Sequence, residues 1–299
     1  MTAVLERPSP VVPPATRKPG WVRAVQLVPG LLLLAVVFGL PLAWLLRMSF
    51  NTGGSSGAIE YGFSLDSYAR FFGEAFNLGL IGRTIWLGVS VTVCALLLGY
   101  PLGLFLLRTQ SRFRSLLLAL ALAPLLTSAV VRTFGWMVIL RDDGIVNQAL
   151  LSIGLVSEPI RLANNQLGVV IALTEILMPY MVLAVVTGSS RLDDRVLEAS
   201  ASLGGNRFRT FWNVTVPLTM PGVLTGCLLV FVLTISSFIT PALVGGGRVF
   251  VLATEIYDQA VGTLNWPLAS AMSFVLIVLF AGVLVGYQRL MARLDWNRG

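Results

Sequence analysis

The chain has 299 residues, of which 56% are hydrophobic and only 12% are charged, and its formal net charge is +7. Soluble globular proteins carry about 25% charged residues, so this composition excludes an ordinary soluble domain and indicates a polytopic membrane protein. The sequence has no histidine and a single lysine, Lys18, outside any P-loop spacing. Histidine-based triads, histidine zinc sites and nucleotide binding by a P-loop are therefore excluded.

The N-terminal segment precedes the first apolar run. Its first twenty residues include five prolines and few large apolar side chains. Such a segment cannot bury a core, so residues 1–24 are predicted to form a disordered cytoplasmic tail. A basic region then leads into an apolar run of full spanning length, which is predicted to remain as an anchor rather than to be cleaved as a signal peptide.

Six apolar runs are long enough to cross a hydrocarbon core of roughly 30 Å, which takes about 20 residues. They are residues 27–46, 85–107, 116–140, 167–188, 222–244 and 268–287. We therefore predict an all-α membrane protein with about six transmembrane helices, with a membrane domain over residues 25–290 and a cytoplasmic tail over residues 291–299. Only residues 108–114 join the second and third runs, so these spans must be antiparallel neighbours.

A loop of mixed charge, residues 49–82, lies between the first two spans. It begins with the Gly- and Ser-rich sequence NTGGSSG, which predicts a turn. It continues as SLDSYARFF, which has the pattern of an amphipathic helix. Such a helix could lie along the membrane surface or contact an outside partner, and the sequence favours neither.

Two ionisable residues fall deep within the third and fourth predicted spans. Arg132 at such depth costs on the order of 2 to 3 kcal/mol, which marks it as a functional candidate. Its long side chain could instead snorkel to the outer interface. Glu175 needs a partner inside a helix bundle, and Arg132 is the obvious one by sign. Two roles stay open for Glu175: structural pairing with Arg132, or contact with a cationic substrate.

The longest polar interruption in the C-terminal half is the stretch 190–221. Ser190 and Asp193 have the spacing of a capping box, which predicts a short helix directly after them. Four residues then share one face of that helix by their spacing: Val196, Ala199, Ser200 and Leu203. Gly204 and Gly205 are predicted to end it.

A second amphipathic segment completes this stretch. Three aromatic residues are predicted on one side and two arginines on the other: Phe208, Phe211 and Trp212, against Arg207 and Arg209. Pro217 is predicted to break the chain before the next apolar run, because proline cannot continue the hydrogen-bond ladder of a helix.

The fifth predicted span carries polar residues near its end: Ser236, Ser237 and Thr240. Pro241 beside them frees backbone carbonyls that a water-lined path could use. Cys94 and Cys227 both fall within predicted spans, so ordinary packing is expected for each rather than a disulfide.

The basic residues predict the orientation. If the N-terminus is inside, fourteen basic residues fall in cytoplasmic segments and six in outer loops. Cytoplasmic loops carry the excess of Lys and Arg in membrane proteins, so both termini and the stretch 190–221 are predicted to be cytoplasmic. Because these residues are dispersed at span ends, the positive charge does not indicate a nucleic-acid partner.

The stretch 190–221 resembles the EAA loop of permease subunits of bacterial ABC importers. Glu198 and Ala199, Gly204 six residues after the Glu, and Val214, Val216 and Pro217 follow its frame, with Ser200 in place of the second Ala. In that family the loop is a coupling helix that seats in a groove of the ATPase subunit. The resemblance implies that the ATPase-coupling residues are Glu198, Ala199, Ser200, Ala201, Leu203, Gly204 and Pro217.

A second resemblance is to the spermidine and putrescine branch of these permeases. The run from Arg132 to Trp136, followed by Gly144 and Asn147, matches its pattern, and so do PLTMPG, the triple glycine and NWP. From their charge, polarity and predicted depth, the candidate substrate-pathway residues are Arg132, Trp136, Glu175, Ser236, Ser237 and Thr240. Related permeases carry iron, opines or amino-acid-like solutes, so the solute stays open.

Together the resemblances imply a type I ABC importer permease fold, with a core of five helices and the first span as an added arm. They imply a multi-pass subunit of the bacterial inner membrane that moves a small solute, such as a polyamine, inward. ATP and Mg would bind in two partner ATPase subunits, beside a second, different permease and an extracytoplasmic binding protein. The alternative of a secondary transporter would be expected to show two related halves, and no repeat is obvious.

Overall fold

The computed structural model describes residues 28–53, 59–189, 192 and 194–296. Two strands of two residues each form an antiparallel hairpin, β1 (Thr52–Gly53) and β2 (Ile59–Glu60). The other elements are helices: α1 (Val28–Ser49), α2 (Asp66–Gly73), α3 (Ala75–Arg108), α4 (Arg114–Leu126), α5 (Ala129–Ile139), α6 (Ile145–Ser152), α7 (Gln166–Gly188), α8 (Asp194–Ser202), α9 (Arg207–Ser236), α10 (Ile239–Val244), α11 (Leu252–Tyr257, continued by the π-helical turn Asp258–Gly262) and α12 (Trp266–Trp296). The predicted tail at residues 1–24 lies outside the described residues.

The chain divides into two units, one through Arg47 and one from Met48 onward. The described part of the first unit, residues 28–47, belongs to α1, which carries large apolar side chains on every face and buries none of its spanning window. A helix that is apolar all round suits a lipid environment rather than water. α1 is therefore long and apolar enough to be a membrane span in its own right.

The core of the second unit lies between α3, α7 and α9. Buried side chains from these three helices form one cluster, which includes Leu87, Val91, Ala95, Leu173, Met181, Val185 and Val230. Glycines let the helix backbones approach closely, and a Cβ built on Gly222 would lie 3.2 Å from the Cα of Gly188. Small residues at helix contacts are the usual way to pack helices in a membrane, where apolar surface alone gives little drive to associate.

Hydrogen bonds between residues far apart in the sequence mark the two ends of this core. At one end, Arg108 donates to the hydroxyl of Thr215 (2.7 Å), which lies within the stretch 190–221. At the other end, the backbone N–H of Leu252 donates to the hydroxyl of Thr84 (2.9 Å). Helix α3 therefore runs the length of the core, and we call these the coupling-loop end and the opposite end.

The amphipathic helix predicted in the loop after the first span is confirmed as α2. Its side chain Phe71 is fully buried in a small second core with Leu80, Leu252 and Met272. α2 packs on α12 through this core, which covers Phe71, whereas Phe72 stays 52% exposed. The turn predicted for NTGGSSG lies mostly outside the described residues.

The third predicted span, residues 116–140, is not one continuous helix. The run is divided into α4 and α5, which are bent by 92° at Thr127 and Ser128. Pro124 opens a 3₁₀ turn at the end of α4, and both break residues have extended backbone, with ψ of 139° and 129°. Proline lacks the N–H that an α-helix needs, so the helix ends there even though the sequence stays apolar.

Two predictions about the fifth span are wrong. Pro217 does not break the chain, because α9 continues through it from Arg207 to Ser236. A π-helical turn, Phe211–Thr215, ends two residues before Pro217. Its altered hydrogen-bond pattern accommodates the N–H that the proline lacks, so the helix continues. The span predicted to reach residue 244 instead stops at Ser237, which is extended, and α10 follows as a separate helix.

Among the described residues, five helices are long and apolar enough to cross a membrane, or six if α4 and α5 form one bent span. This agrees with the predicted number of about six. The last of them, α12, extends to Trp296, so residues 291–296 continue the helix rather than starting a separate tail.

Candidate functional site

The first candidate site is the hairpin formed by α8 and the start of α9. The short helix predicted here is confirmed as Asp194–Ser202, and Gly204 follows it with a φ of +80°. The N–H groups of Leu203 and Gly205 donate to the carbonyls of Ala199 and Ser200, which closes the helix end. The capping box predicted from Ser190 and Asp193 lies outside the described residues.

Polar side chains fix the hairpin. The hydroxyls of Ser200 and Thr210 are hydrogen-bonded to each other (2.8 Å), which ties α8 to α9. The side-chain oxygen of Asn206 accepts from the N–H of Arg209 (2.8 Å) and so caps α9. The two helices therefore present one preformed surface.

That surface carries the residues predicted to share a face of α8. Val196, Ala199, Ser200 and Leu203 all line one recess, together with Gly205, Arg209, Asn213 and Val214. The side chain of Leu203 is 89% exposed at the tip of the hairpin, and Glu198 is also exposed. An apolar side chain held so far out of its own chain suits contact with another protein.

The aromatic residues after the hairpin do not all lie on one side as predicted. Phe208 and Trp212 are exposed and touch edge to face, with ring centroids 6.3 Å apart. Phe211 turns toward Tyr100 of α3, with centroids 6.5 Å apart. Phe211 therefore helps to hold the hairpin on the helix core, and only the other two rings remain available to a partner.

The second candidate site is the Arg132 cluster, which consists of Arg132, Trp136 and Glu175. Nη1 of Arg132 lies 3.6 Å from Oε1 of Glu175, and Nε1 of Trp136 donates to Oε2 of the same carboxylate (3.0 Å). The side chains of Arg132 and Glu175 are 14% and 35% exposed. The two deep charges therefore lie together, and Arg132 extends toward α7 rather than snorkelling along α5.

The pairing between these charges is loose. At 3.6 Å the guanidinium and carboxylate attract each other, but they are too far apart for a good hydrogen bond. Arg132 also donates to the carbonyl of Ile176 at a long 3.4 Å, and its Nε is buried without a partner among the described residues. The cluster is thus not a closed bidentate ion pair, and part of the carboxylate of Glu175 remains accessible.

The predicted pathway residues on α9 and α10 lie in two different settings. Thr240 is buried, and its hydroxyl is hydrogen-bonded to that of Thr133 (2.9 Å), one residue from Arg132. Ser236 is exposed and donates to the carbonyl of Val232 in its own helix. In the described part of the chain, no hydrogen bond joins Ser236 or Ser237 to the Arg132 cluster.

Comparison with known proteins identifies the family. Residues 20–296 match the family described as "Binding-protein-dependent transport system inner membrane component". The chain belongs to this family. It is therefore an integral inner-membrane permease subunit of an ABC importer, and not an enzyme, as the sequence of the stretch 190–221 indicated.

Two relatives of this permease have similar length. It is 34% identical over 273 residues to the spermidine/putrescine transport system permease protein PotB of Haemophilus influenzae, covering 90% of each chain. It is 32% identical over 250 residues to the PotB of Escherichia coli, covering 84% of this chain and 90% of that one.

A solved structure shares the fold. It is a bacterial ABC transporter involved in import of the acidic polysaccharide alginate, matched with a TM-score of 0.71 over 91% of this chain and 96% of the other. At 16% identity this likeness shows the fold alone, which is that of type I importer permeases.

Sequence reasoning missed residues that position the permease's polar groups. Thr133 is fully buried and its hydroxyl is hydrogen-bonded to Thr240 of α10; it lies in the run from Arg132 to Trp136 that matches the family pattern, but that match does not indicate this contact. Asn147 is also fully buried, and its amide bonds the backbone of Arg141 and Ile160. Its match to the family pattern was the available signal, because a buried amide needs several partners. The described residues contain no cluster of three or more metal-binding side chains.

Proposed function

We propose that this permease translocates a polyamine, such as spermidine or putrescine, inward across the cytoplasmic membrane. The observation that carries the proposal is the 34% identity to a spermidine/putrescine permease over 90% of both chains. Likeness over nearly full length covers the helices, the hairpin and the Arg132 cluster together, whereas a local motif would cover only one of them.

The chemistry of the Arg132 cluster supports a cationic solute. Glu175 is the only acidic residue within the described candidate spans, which are residues 28–49, 75–108, 114–126 with 129–139, 166–188, 207–236 and 266–292. A carboxylate attracts an ammonium group, and the indole of Trp136 beside it offers a ring face for a cation–π contact. Glu175 therefore serves as a transient partner for an amine of the solute, with Arg132 as its partner between transport events.

We further propose that the hairpin is the ATPase-docking site, with the termini and the stretch 190–221 in the cytoplasm. The exposed Leu203 and the recess around Ala199 and Ser200 support this role. Glu198, Ala201 and Gly204 belong to the same loop, and Pro217 keeps its place in the frame within α9. Two ATPase subunits that bind ATP and Mg, a second and different permease, and an extracytoplasmic binding protein complete the transporter.

The test of the substrate is uptake by the reconstituted transporter. Proteoliposomes with the complete complex and its binding protein should take up radiolabelled spermidine or putrescine in an ATP-dependent manner. Glu175→Gln should reduce uptake about tenfold or more, because an uncompensated ion inside the bundle costs several kcal/mol. The control Glu158→Gln removes an acidic residue from an exposed loop and should transport normally.

One result would contradict the substrate assignment, and another would contradict the role of Glu175. ATP-dependent uptake of an iron complex, an opine or an anion, without uptake of any polyamine, would assign a different solute. Normal polyamine uptake by Glu175→Gln would remove Glu175 from the pathway while leaving the substrate assignment intact.

A further inference from the structure

A recess of about 520 Å³ opens at the opposite end of the helix core from the coupling loop, and we call it the basic recess. Its lining comes from the first turns of α3, the start of α7 and the segment after α10: Phe76, Arg83, Asn164, Asn165, Gln166, Arg248, Val249 and Phe250. Arg83 and Arg248 are 165 positions apart in the sequence. By sequence alone, each of them is only one of the six basic residues that are dispersed over the predicted outer loops. The fold brings both to one cavity.

The basic recess is held in shape by contacts among its own residues. The rings of Phe76 and Phe250 meet edge to face, with centroids 5.7 Å apart, and the guanidinium of Arg83 lies 5.8 Å from the Phe76 centroid. The N–H of Asn164 donates to the carbonyl of Val244 (2.9 Å), and the side chain of Asn165 caps α7. The recess is therefore preformed, which lowers the entropy lost when it binds a partner.

The charges of the recess are not neutralised within the chain. No carboxylate lines it, and no ion pair forms with Arg83 or Arg248 among residues 28–53, 59–189 and 194–296. Both arginines are exposed. Two cations that share one preformed cavity repel each other unless an anion compensates them, and arginine forks are suited to carboxylates and phosphates. The recess is therefore complementary to an anionic group.

The solute of the proposed function does not fit this recess, because two guanidiniums repel a polycation. Acidic residues at this end of the molecule lie in a different place. Glu255 and Asp258 line a separate cavity, which shares only Val249 and Phe250 with the basic recess. The acidic and the basic side chains thus line two different cavities, which have only Val249 and Phe250 in common.

We propose that the basic recess docks a carboxylate-bearing surface of the extracytoplasmic solute-binding protein. The family depends on such a protein for transport. The inference rests on the proposed orientation, in which the coupling loop is cytoplasmic and the opposite end faces outward. Complementary charge at an interface mainly speeds association and selects the partner, which suits a binding protein that must dock and leave in every transport cycle.

The test measures docking directly. The complete transporter, in nanodiscs of zwitterionic lipid, is titrated with the binding protein of the same system at several salt concentrations. Arg83→Gln and Arg248→Gln should each weaken binding about threefold to tenfold, mostly through slower association, and the double variant should also flatten the salt dependence. Arg70→Gln is the matched control, because it removes an exposed charge from α2 at the same end without lining the recess.

Lysine variants separate charge from folding. Arg83→Lys and Arg248→Lys keep the charge and should recover part of the association rate, whereas a folding defect would lower complex yield and basal ATP hydrolysis in the Gln variants. If the double Gln variant is misfolded, the Lys variants are used for the test instead. They keep the charge but lose the planar guanidinium, so they should still bind the binding protein more weakly than wild type.

Two results would overturn the proposal. One is unchanged affinity and salt dependence in folded variants. The other is a loss of affinity in the Gln variants that appears only in nanodiscs with anionic lipid, which would make the recess a binding site for lipid headgroups. Failure of the substrate assignment is distinguishable, because docking is measured without solute uptake. Failure of the orientation is measured separately by thiol labelling.

Discussion

Glu175 has two partners of different strength, and this difference determines how a substitution acts. Trp136 gives the carboxylate a normal hydrogen bond, whereas Arg132 gives it a loose ion pair. Removing one member of a buried charge pair leaves the other uncompensated, and that is usually more harmful than removing both.

We therefore expect coupling between Arg132 and Glu175 in a double-mutant cycle. Arg132→Met and Glu175→Gln should each lower the free energy of unfolding, and the double variant should recover part of the loss. A coupling energy of about 0.5 to 3 kcal/mol is expected for groups in contact. Thermal unfolding in detergent measures it. Strictly additive losses would show that the two charges do not depend on each other.

The exposed pair Arg141 and Asp143 is the control for this cycle. Their charged atoms are only 3.0 Å apart, but their side chains are 64% and 74% exposed. Solvent screens such pairs, so the cycle of Arg141→Met and Asp143→Asn should give a coupling of about 0 to 1 kcal/mol.

Gly204 is the second position where one residue matters. Its φ of +80° is unfavourable for residues with a Cβ, although the space around it is open. Gly204→Val should therefore disturb the hairpin by backbone strain alone, roughly 1 to 2 kcal/mol. Gly204→Asn should be milder, because asparagine tolerates this conformation.

Binding-protein-stimulated ATP hydrolysis by the complete transporter is the measurement for Gly204. The Val variant should insert in the membrane normally and lose most of the stimulation, and the Asn variant should keep most of it. Full stimulation in Gly204→Val together with Glu198→Arg would remove the hairpin from ATPase coupling.

At the scale of elements, hydropathy predicted how many spans exist but not which of them bend. The mean hydropathy of a 20-residue window does not reveal a bend inside that window. The 92° bend at Thr127 and Ser128 therefore lies unmarked within one apolar run. Pro124 was the local signal for that bend. Pro217 carried the same signal and was misleading, because the preceding π-helical turn accommodates it.

The candidate sites were predictable to different degrees, because some of their features depend on local sequence and others on how distant helices pack. The face of α8 follows from spacing within nine residues, and Gly204 as its end follows from backbone sterics. Arg132 and Glu175 could be paired because they are the only deep charges of opposite sign. Thr133 and Thr240 are neutral and 107 positions apart, so their contact depends on how α10 packs on α5. Local sequence does not contain that information.

The crossing of α7 and α9 should be sensitive to the size of one residue. A Cβ on Gly222 would lie 2.8 Å from the carbonyl oxygen of Ala184 and 3.2 Å from the Cα of Gly188. Gly222→Val should separate the helices and reduce stability by about 1 to 3 kcal/mol, as overpacking does elsewhere. The melting temperature of the purified subunit measures this effect.

Gly282→Val is the matched control for the helix crossing. Gly282 also lies within a long apolar helix, α12, but no atom lies within 4 Å of a Cβ built there. Equal melting temperatures for the Gly222 and Gly282 variants would show that the close approach is not required.

At the scale of the whole molecule, the orientation follows from charge counting and can be tested by labelling. In a background with Cys94→Ala and Cys227→Ala, a cysteine at Ser202 should react with an impermeant thiol reagent only in inverted vesicles. A cysteine at Ser157, exposed between α6 and α7, should react only from outside. The reverse pattern would invert the topology and place the basic recess in the cytoplasm. Ser55, another outer position by sequence, lies outside the described residues.

The continuity of α9 through Pro217 has a consequence for how movement crosses the membrane. α9 has 30 residues and is therefore about 45 Å long. It runs from the hairpin to the break at Ser237, after which comes α10, the helix whose Thr240 is hydrogen-bonded to Thr133. We expect α9 to move as one rigid helix, so that a tilt of the hairpin displaces its far end without any rearrangement of the side chains between them. Spin labels at Phe208 and Ser236 should therefore keep one separation in nucleotide-free and nucleotide-bound transporters, while both move relative to α3.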